Sequence, residues 1–146
     1  MKDRSLDSVY FPLKIAFGIV PLVAGLDKFT NLLTDWEKYL SPAVRDTLPI
    51  GPAAFMMIVG VIEAAVGLAI LTKLTRLGAY VAMAWLVLIS IDLVLAGMLD
   101  IAVRDLVMAV GAYSLGTVAG LKGLAWLPWQ QEEATGILRT HAPSAR

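Results

Sequence analysis

Six ionisable side chains, Asp27, Lys28, Glu63, Asp92, Arg104 and Asp105, lie inside or at the edges of long apolar runs. A charge near the centre of a bilayer costs about 2.5 to 3.5 kcal/mol even on lenient insertion scales, so such groups pair, neutralise or line a polar path. The chemistry open to them is proton exchange, recognition of a polar head group, or ion pairing between helices. Composition removes other chemistries. There is no cysteine, hence no thiolate nucleophile, disulfide exchange or iron–sulfur ligation. The single histidine, His141, falls in a polar tail, so the chain alone offers neither a haem held between membrane histidines nor a metal-ligand set. The six methionines read as packing residues.

Glu63 is the deepest of the six. At helical spacing Gly60, Glu63, Ala64 and Gly67 share a face, which places the carboxylate on a stripe of small residues that lets another helix approach closely. An earlier run repeats the pattern, with Gly18, Pro21, Gly25 and Lys28 on one face and Asp27 beside it. Lys28 is therefore the expected partner of Glu63. With 1.5 Å of rise per residue, Glu63 falls about 16 Å and Lys28 about 5 Å from the outer ends of their helices, so the two long side chains would only just meet, directly or through water; if they do not, desolvation is expected to leave Glu63 neutral. Asp92 and Arg104 lie six residues on either side of Met98, at matching depth in a hairpin, and are expected to pair. Asp105 is expected to favour the dipole at the start of its helix. Two readings of this patch stay open: pairs that set helix register, or a site for a polar head group or a proton path. Gly116 and Gly120 make a GxxxG step that suggests a helix contact.

The elements that must position these groups are membrane spans. Of the 146 residues 58% are hydrophobic and 16% charged, against about a quarter charged in soluble domains, and mean hydropathy is +0.74. The apolar blocks approach the roughly 20 residues a helix needs to cross hydrocarbon. The expected architecture is an all-α integral membrane four-helix bundle over residues 1–127, with spans near 10–33, 52–72, 77–98 and 101–124. Residues 34–51 form an interfacial segment, whose Pro42 and Pro49 argue for short surface helices rather than a fifth span. Residues 128–146 form a polar tail after a stop at Pro128, with Trp126 and Trp129 as interfacial anchors. Pro21 is tolerated within the first span and expected to kink it. The amino-terminal run resembles a signal peptide but is too long, and further spans follow, so it is expected to be retained. Lys2, Arg4, Lys14, Lys73, Arg76, Lys122, Arg139 and Arg146 fall on one side, against Lys28, Lys38, Arg45 and Arg104 on the other, which predicts that both termini are cytoplasmic. Net charge is zero, and no basic cluster interleaved with aromatics suggests nucleic acid.

Gly18 to Phe29, with a glycine, then Ala24 and Gly25, then Lys28, resembles the first-helix signature of the DoxX family. Gly60, Glu63 and Gly67, followed by Thr75 and Arg76, are similar to that family's second-helix pattern, and Arg104 with Asp105 to the opening of its fourth helix. The likeness spans residues 9 to 124. It implies a multi-pass protein of the bacterial or archaeal cytoplasmic membrane, with relatives that include a subunit of thiosulfate:quinone oxidoreductase. The absence of cysteine departs from relatives that handle thiols.

The leading expectation is a DoxX-like subunit of a redox-linked, quinone-associated membrane complex, with a head-group pocket at Lys28, Glu63, Asp92 and Arg104 supported by Asp27 and Asp105. Its cofactor is none from this chain alone, with quinone or lipid as the ligand. If enzymatic, it is a subunit without its own redox centre. Gly18, Gly25, Gly60, Gly67, Gly116 and Gly120 are expected to serve helix packing. Expected partners are membrane lipid and other membrane subunits or a second copy. The alternatives are a structural or assembly subunit packed against larger membrane proteins, and a small proton-coupled transporter.

Overall fold

Apolar blocks of this length satisfy their backbone groups only as helices when water is absent. The computed structural model describes residues 2–127 and 130. It contains α1 (Lys2–Asp27), a 3-10 turn (Trp36–Tyr39), a single turn α2 (Pro42–Arg45), and the long helices α3 (Pro52–Leu71), α4 (Thr75–Leu95) and α5 (Leu99–Leu121). Four of these, α1 from Arg4 onward with α3, α4 and α5, are long and apolar enough to cross a membrane. The expected stop at Pro128, the anchor Trp129 and the tail beyond Gln130, His141 included, lie outside the described residues.

Helix ends follow local chemistry. Pro52 opens α3 behind Gly51, where a missing N–H leaves nothing unpaired. Gly97 closes α4 at φ +78°; its N–H donates to the Val94 carbonyl and that of Met98 to the Leu93 carbonyl, which reverses the chain into α5. The first span differs from expectation at both ends. It starts at Lys2, because the polar residues before Tyr10 continue the helix beyond the apolar run. It stops at Asp27 rather than near residue 33, because the Asp27 carboxylate accepts the backbone N–H groups of Leu32 and Leu33, at 2.9 and 3.0 Å, and folds the chain back on itself. The left-handed backbone of Asn31, φ 50°, completes that reversal.

α1 packs against α3 and α4 against α5, and the short link between α3 and α4 joins the two pairs. The α1–α3 contact is backbone on backbone. A Cβ placed on Gly25 would lie 2.5 Å from the Gly60 carbonyl oxygen, and one on Gly67 would lie 2.5 Å from that of Gly18. Only glycine permits this approach. On α5, Gly116 instead makes room for the Tyr80 ring and Gly120 for the Arg76 guanidinium, so this GxxxG step receives side chains of α4 rather than a helix backbone.

The packed core, including Tyr10, Phe17, Ile70, Ala79, Ala112 and Leu115, fills the half of the bundle that carries the α3–α4 link. There Lys14 donates to the Thr72 carbonyl, Lys122 pairs with Asp7, and Arg76 donates to the Leu124 carbonyl, so these basic residues gather at one end. The outer faces carry large apolar side chains, with Val61 58% and Val110 65% exposed. Apolar exposure on every long helix suits hydrocarbon, not water.

Candidate functional site

Toward the opposite end the helices diverge around a cavity of about 890 Å3, with the connection between α1 and α3 laid across it. Its walls are largely apolar, from Phe17, Val20 and Pro21 on α1 through Phe55, Met56 and Val59 on α3 to Trp85, Leu86 and Ile89 on α4 and Val107 and Met108 on α5. Into it come Lys28, Glu63, Asp92, Arg104 and Asp105, together with Trp36 and Tyr39 from the covering turn. Five of the six ionisable residues singled out by the sequence thus border one space, and Asp27 lies beside it without lining it.

Lys28 and Glu63, 6% and 8% exposed, form a direct ion pair, closer than their depths along the two helices suggest. The difference lies in register. The helices are not flush at their outer ends; the glycine contacts bring the Lys28 Cβ within 3.0 Å of where a Gly60 Cβ would stand. Glu63 is then only about 4.5 Å further along α3. In antiparallel helices each side chain leans toward its own amino terminus, so these two lean toward each other. The Lys28 ammonium also lies 3.7 Å from the centre of the Trp36 ring, a cation–π contact strengthened by desolvation. The other Glu63 oxygen faces the Trp85 indole N–H at 3.5 Å.

Asp92 does not pair with Arg104. Its carboxylate accepts the Ser41 hydroxyl and the Ser41 backbone N–H, and Ser41 in turn accepts the Val44 N–H as the cap of α2. Equal depth in the hairpin fixes height but not rotation: Asp92 is tied to Ser41 of the covering segment, whereas Arg104 shares its helix face with Gly111, against which the Phe17 ring of α1 lies. Among the described residues no carboxylate oxygen lies within 4.0 Å of Arg104. On the covering turn the Tyr39 phenol is held below its usual pKa chiefly by the Thr34 side chain, against an opposing effect of burial, with smaller contributions from Lys38 and from the Arg104 charge.

Asp105 does not serve the helix dipole. α5 begins at Leu99, so Asp100 occupies the first turn and Asp105 lies beyond the reach of that effect, against the cavity. Asp27 is a loop organiser: besides Leu32 and Leu33 it accepts the Thr30 hydroxyl at 3.0 Å and the Trp36 indole N–H at 2.8 Å. It holds Trp36 over Lys28.

Sequence reasoning missed Ser41, Trp36, Tyr39 and Trp85. Two signals were present. Ser41 before Pro42 is a helix-cap pair, and an indole N–H in the middle of an apolar span needs a buried acceptor. Among the described residues no three His, Asp or Glu side chains cluster as metal ligands. Comparison with protein-family models, with curated proteins and with solved structures returned no match.

Proposed function

We propose that this chain is a DoxX-like subunit of a redox-linked membrane complex, and that it receives the head group of a long-chain quinone beneath the connection between α1 and α3. The observation that carries this reading is the cavity of about 890 Å3, hydrocarbon-walled, with hydrogen-bonding and charged side chains gathered at one end. Small-molecule sites fall in this volume range and combine an apolar lining with a few convergent polar groups. A quinone asks for that combination: a slot for its chain and donors at its carbonyl oxygens. A bound quinone supplies electron and proton transfer, while this chain's residues bind and orient it and keep water away. Electron carriers then belong to partner subunits.

The resemblance of residues 9 to 124 to the DoxX family supports the redox setting and a bacterial or archaeal cytoplasmic membrane. The gathering of Lys14, Arg76 and Lys122 at one end supports cytoplasmic termini.

A second reading, the structural subunit, draws on a specific observation. Asp27, Lys28, Glu63 and Asp92 all find partners within the chain, as register-setting groups do. Organic extraction of protein purified in mild detergent separates the two readings. A quinone released in stoichiometric amount, with a rise in thermal stability on adding a short-chain quinone, supports the first. Neither effect, together with a stoichiometric partner that is lost in Glu63→Gln, supports the second.

A further inference from the structure

We infer that the ligand enters sideways from the bilayer through the seam between α1 and α5, and that Arg104 donates there to an oxygen of an uncharged head group. This rests on the quinone-binding reading above and adds a route and an anchoring residue.

The seam is closed at one level. The Phe17 ring of α1 lies against α5, 2.6 Å from where a Gly111 Cβ would stand. Toward Arg104 it opens. Val20 on α1 and Val107 on α5 both line the cavity, yet they are 53% and 66% exposed. Leu88 on α4 lines the cavity at 58% exposure as well, so the α1–α5 seam is distinguished by Arg104, which shares the α5 face of Gly111 against which the Phe17 ring lies. The rim of the seam is apolar, as are the neighbouring outer faces, so what passes through it is a hydrocarbon chain rather than a hydrated solute.

Arg104 stands at the same opening, on the α5 face that also carries Met108 and Gly111. It lies about 7.5 Å along the helix axis from Leu99, within reach of a head group held just below the interface. Lys28 is occupied by Glu63 and Trp36, whereas Arg104 has no carboxylate within 4.0 Å among the described residues. Its guanidinium offers five donors and no acceptor, so it selects oxygen acceptors. The charge of the lining then chooses between oxygen types. Glu63, Asp92 and Asp105 already oppose only Lys28 and Arg104. A carboxylate or phosphate head group would add negative charge to a lining in which acids outnumber bases, while a carbonyl head group adds none.

The test uses the full chain in detergent micelles or nanodiscs, with a decyl-substituted benzoquinone and oleate as probes and tryptophan quenching as the readout. The wild type is expected to bind the benzoquinone more tightly than oleate. Arg104→Gln is expected to weaken benzoquinone binding about tenfold or more, as loss of a hydrogen bond from a charged donor does, with Arg104→Lys in between. Val107→Trp is expected to slow association. Both sites are exposed, so thermal unfolding without ligand should be unchanged and serves as the folding control. Undiminished affinity in Arg104→Gln overturns the anchor, an unchanged association rate in Val107→Trp overturns the route, and a preference for oleate overturns the uncharged head group. Failure of the wild type to bind either probe instead removes the quinone-binding reading, and this inference with it.

Discussion

The Lys28 side chain reaches Glu63 because Gly60, one helical turn from the glutamate, has no side chain to hold the two helices apart. A close helix contact and a buried ion pair are here one structural fact. Two glycine pairs, Gly18 with Gly67 and Gly25 with Gly60, set the register, and the register sets the pair.

Breaking the pair on one side should be worse than removing it. Glu63→Gln leaves a buried ammonium uncompensated and is expected to cost about 3 to 5 kcal/mol. Lys28→Met combined with Glu63→Gln should recover most of that loss. Thermal unfolding in detergent reads both, and a double variant no more stable than the single would mean that the pair does not act as a unit.

The glycine contact should tolerate no side chain. Gly25→Val drives a branched Cβ into the Gly60 carbonyl and the Ala64 backbone, neither of which can yield by rotating. A loss of about 3 kcal/mol or more is expected, the upper end for overpacking. Gly51→Ala, where nothing lies within 4 Å of the added carbon, is the neutral control. Equal melting temperatures for the two variants would disprove the contact.

The covering segment should loosen without unfolding the bundle when its anchor is cut. Ser41→Ala removes both the hydroxyl donated to Asp92 and the cap of α2, a local loss of about 1 to 2 kcal/mol. Limited proteolysis between residues 31 and 51 should speed up, while the melting temperature of the whole protein moves little. Asp92→Ala should loosen the same segment while leaving the α2 cap in place, and adding it to Ser41→Ala should cost only the remaining contact to the Ser41 backbone N–H.

Orientation is open to a direct measurement, because the chain has no cysteine of its own. Lys38→Cys and Lys73→Cys place single thiols on the covering segment and on the α3–α4 link, at opposite ends of the bundle. A membrane-impermeant maleimide added to intact cells should label the first and not the second. The reverse pattern would invert the proposed topology.

Hydropathy and length alone determined the four long apolar helices of the described residues, since hydrocarbon leaves a backbone of this kind little alternative. They also marked out which side chains are too costly to face lipid. What they could not supply was rotation and relative height. Asp92 and Arg104 are level in sequence, yet they face different neighbours, because the Gly97 turn fixes depth while packing against the covering segment fixes direction. Lys28 and Glu63 lie at different distances from their own helix ends, and the glycine contacts cancel the difference. Trp36 and Ser41 belong to a connection whose path depends on the carboxylates of Asp27 and Asp92, one at the end of α1 and the other on α4. The sequence by itself specified the helices and their scarce polar groups, through local periodicity and the cost of charge in hydrocarbon. The partner of each group was decided only by the packed bundle, because partnership depends on azimuth and register, which arise from contacts between segments distant along the chain.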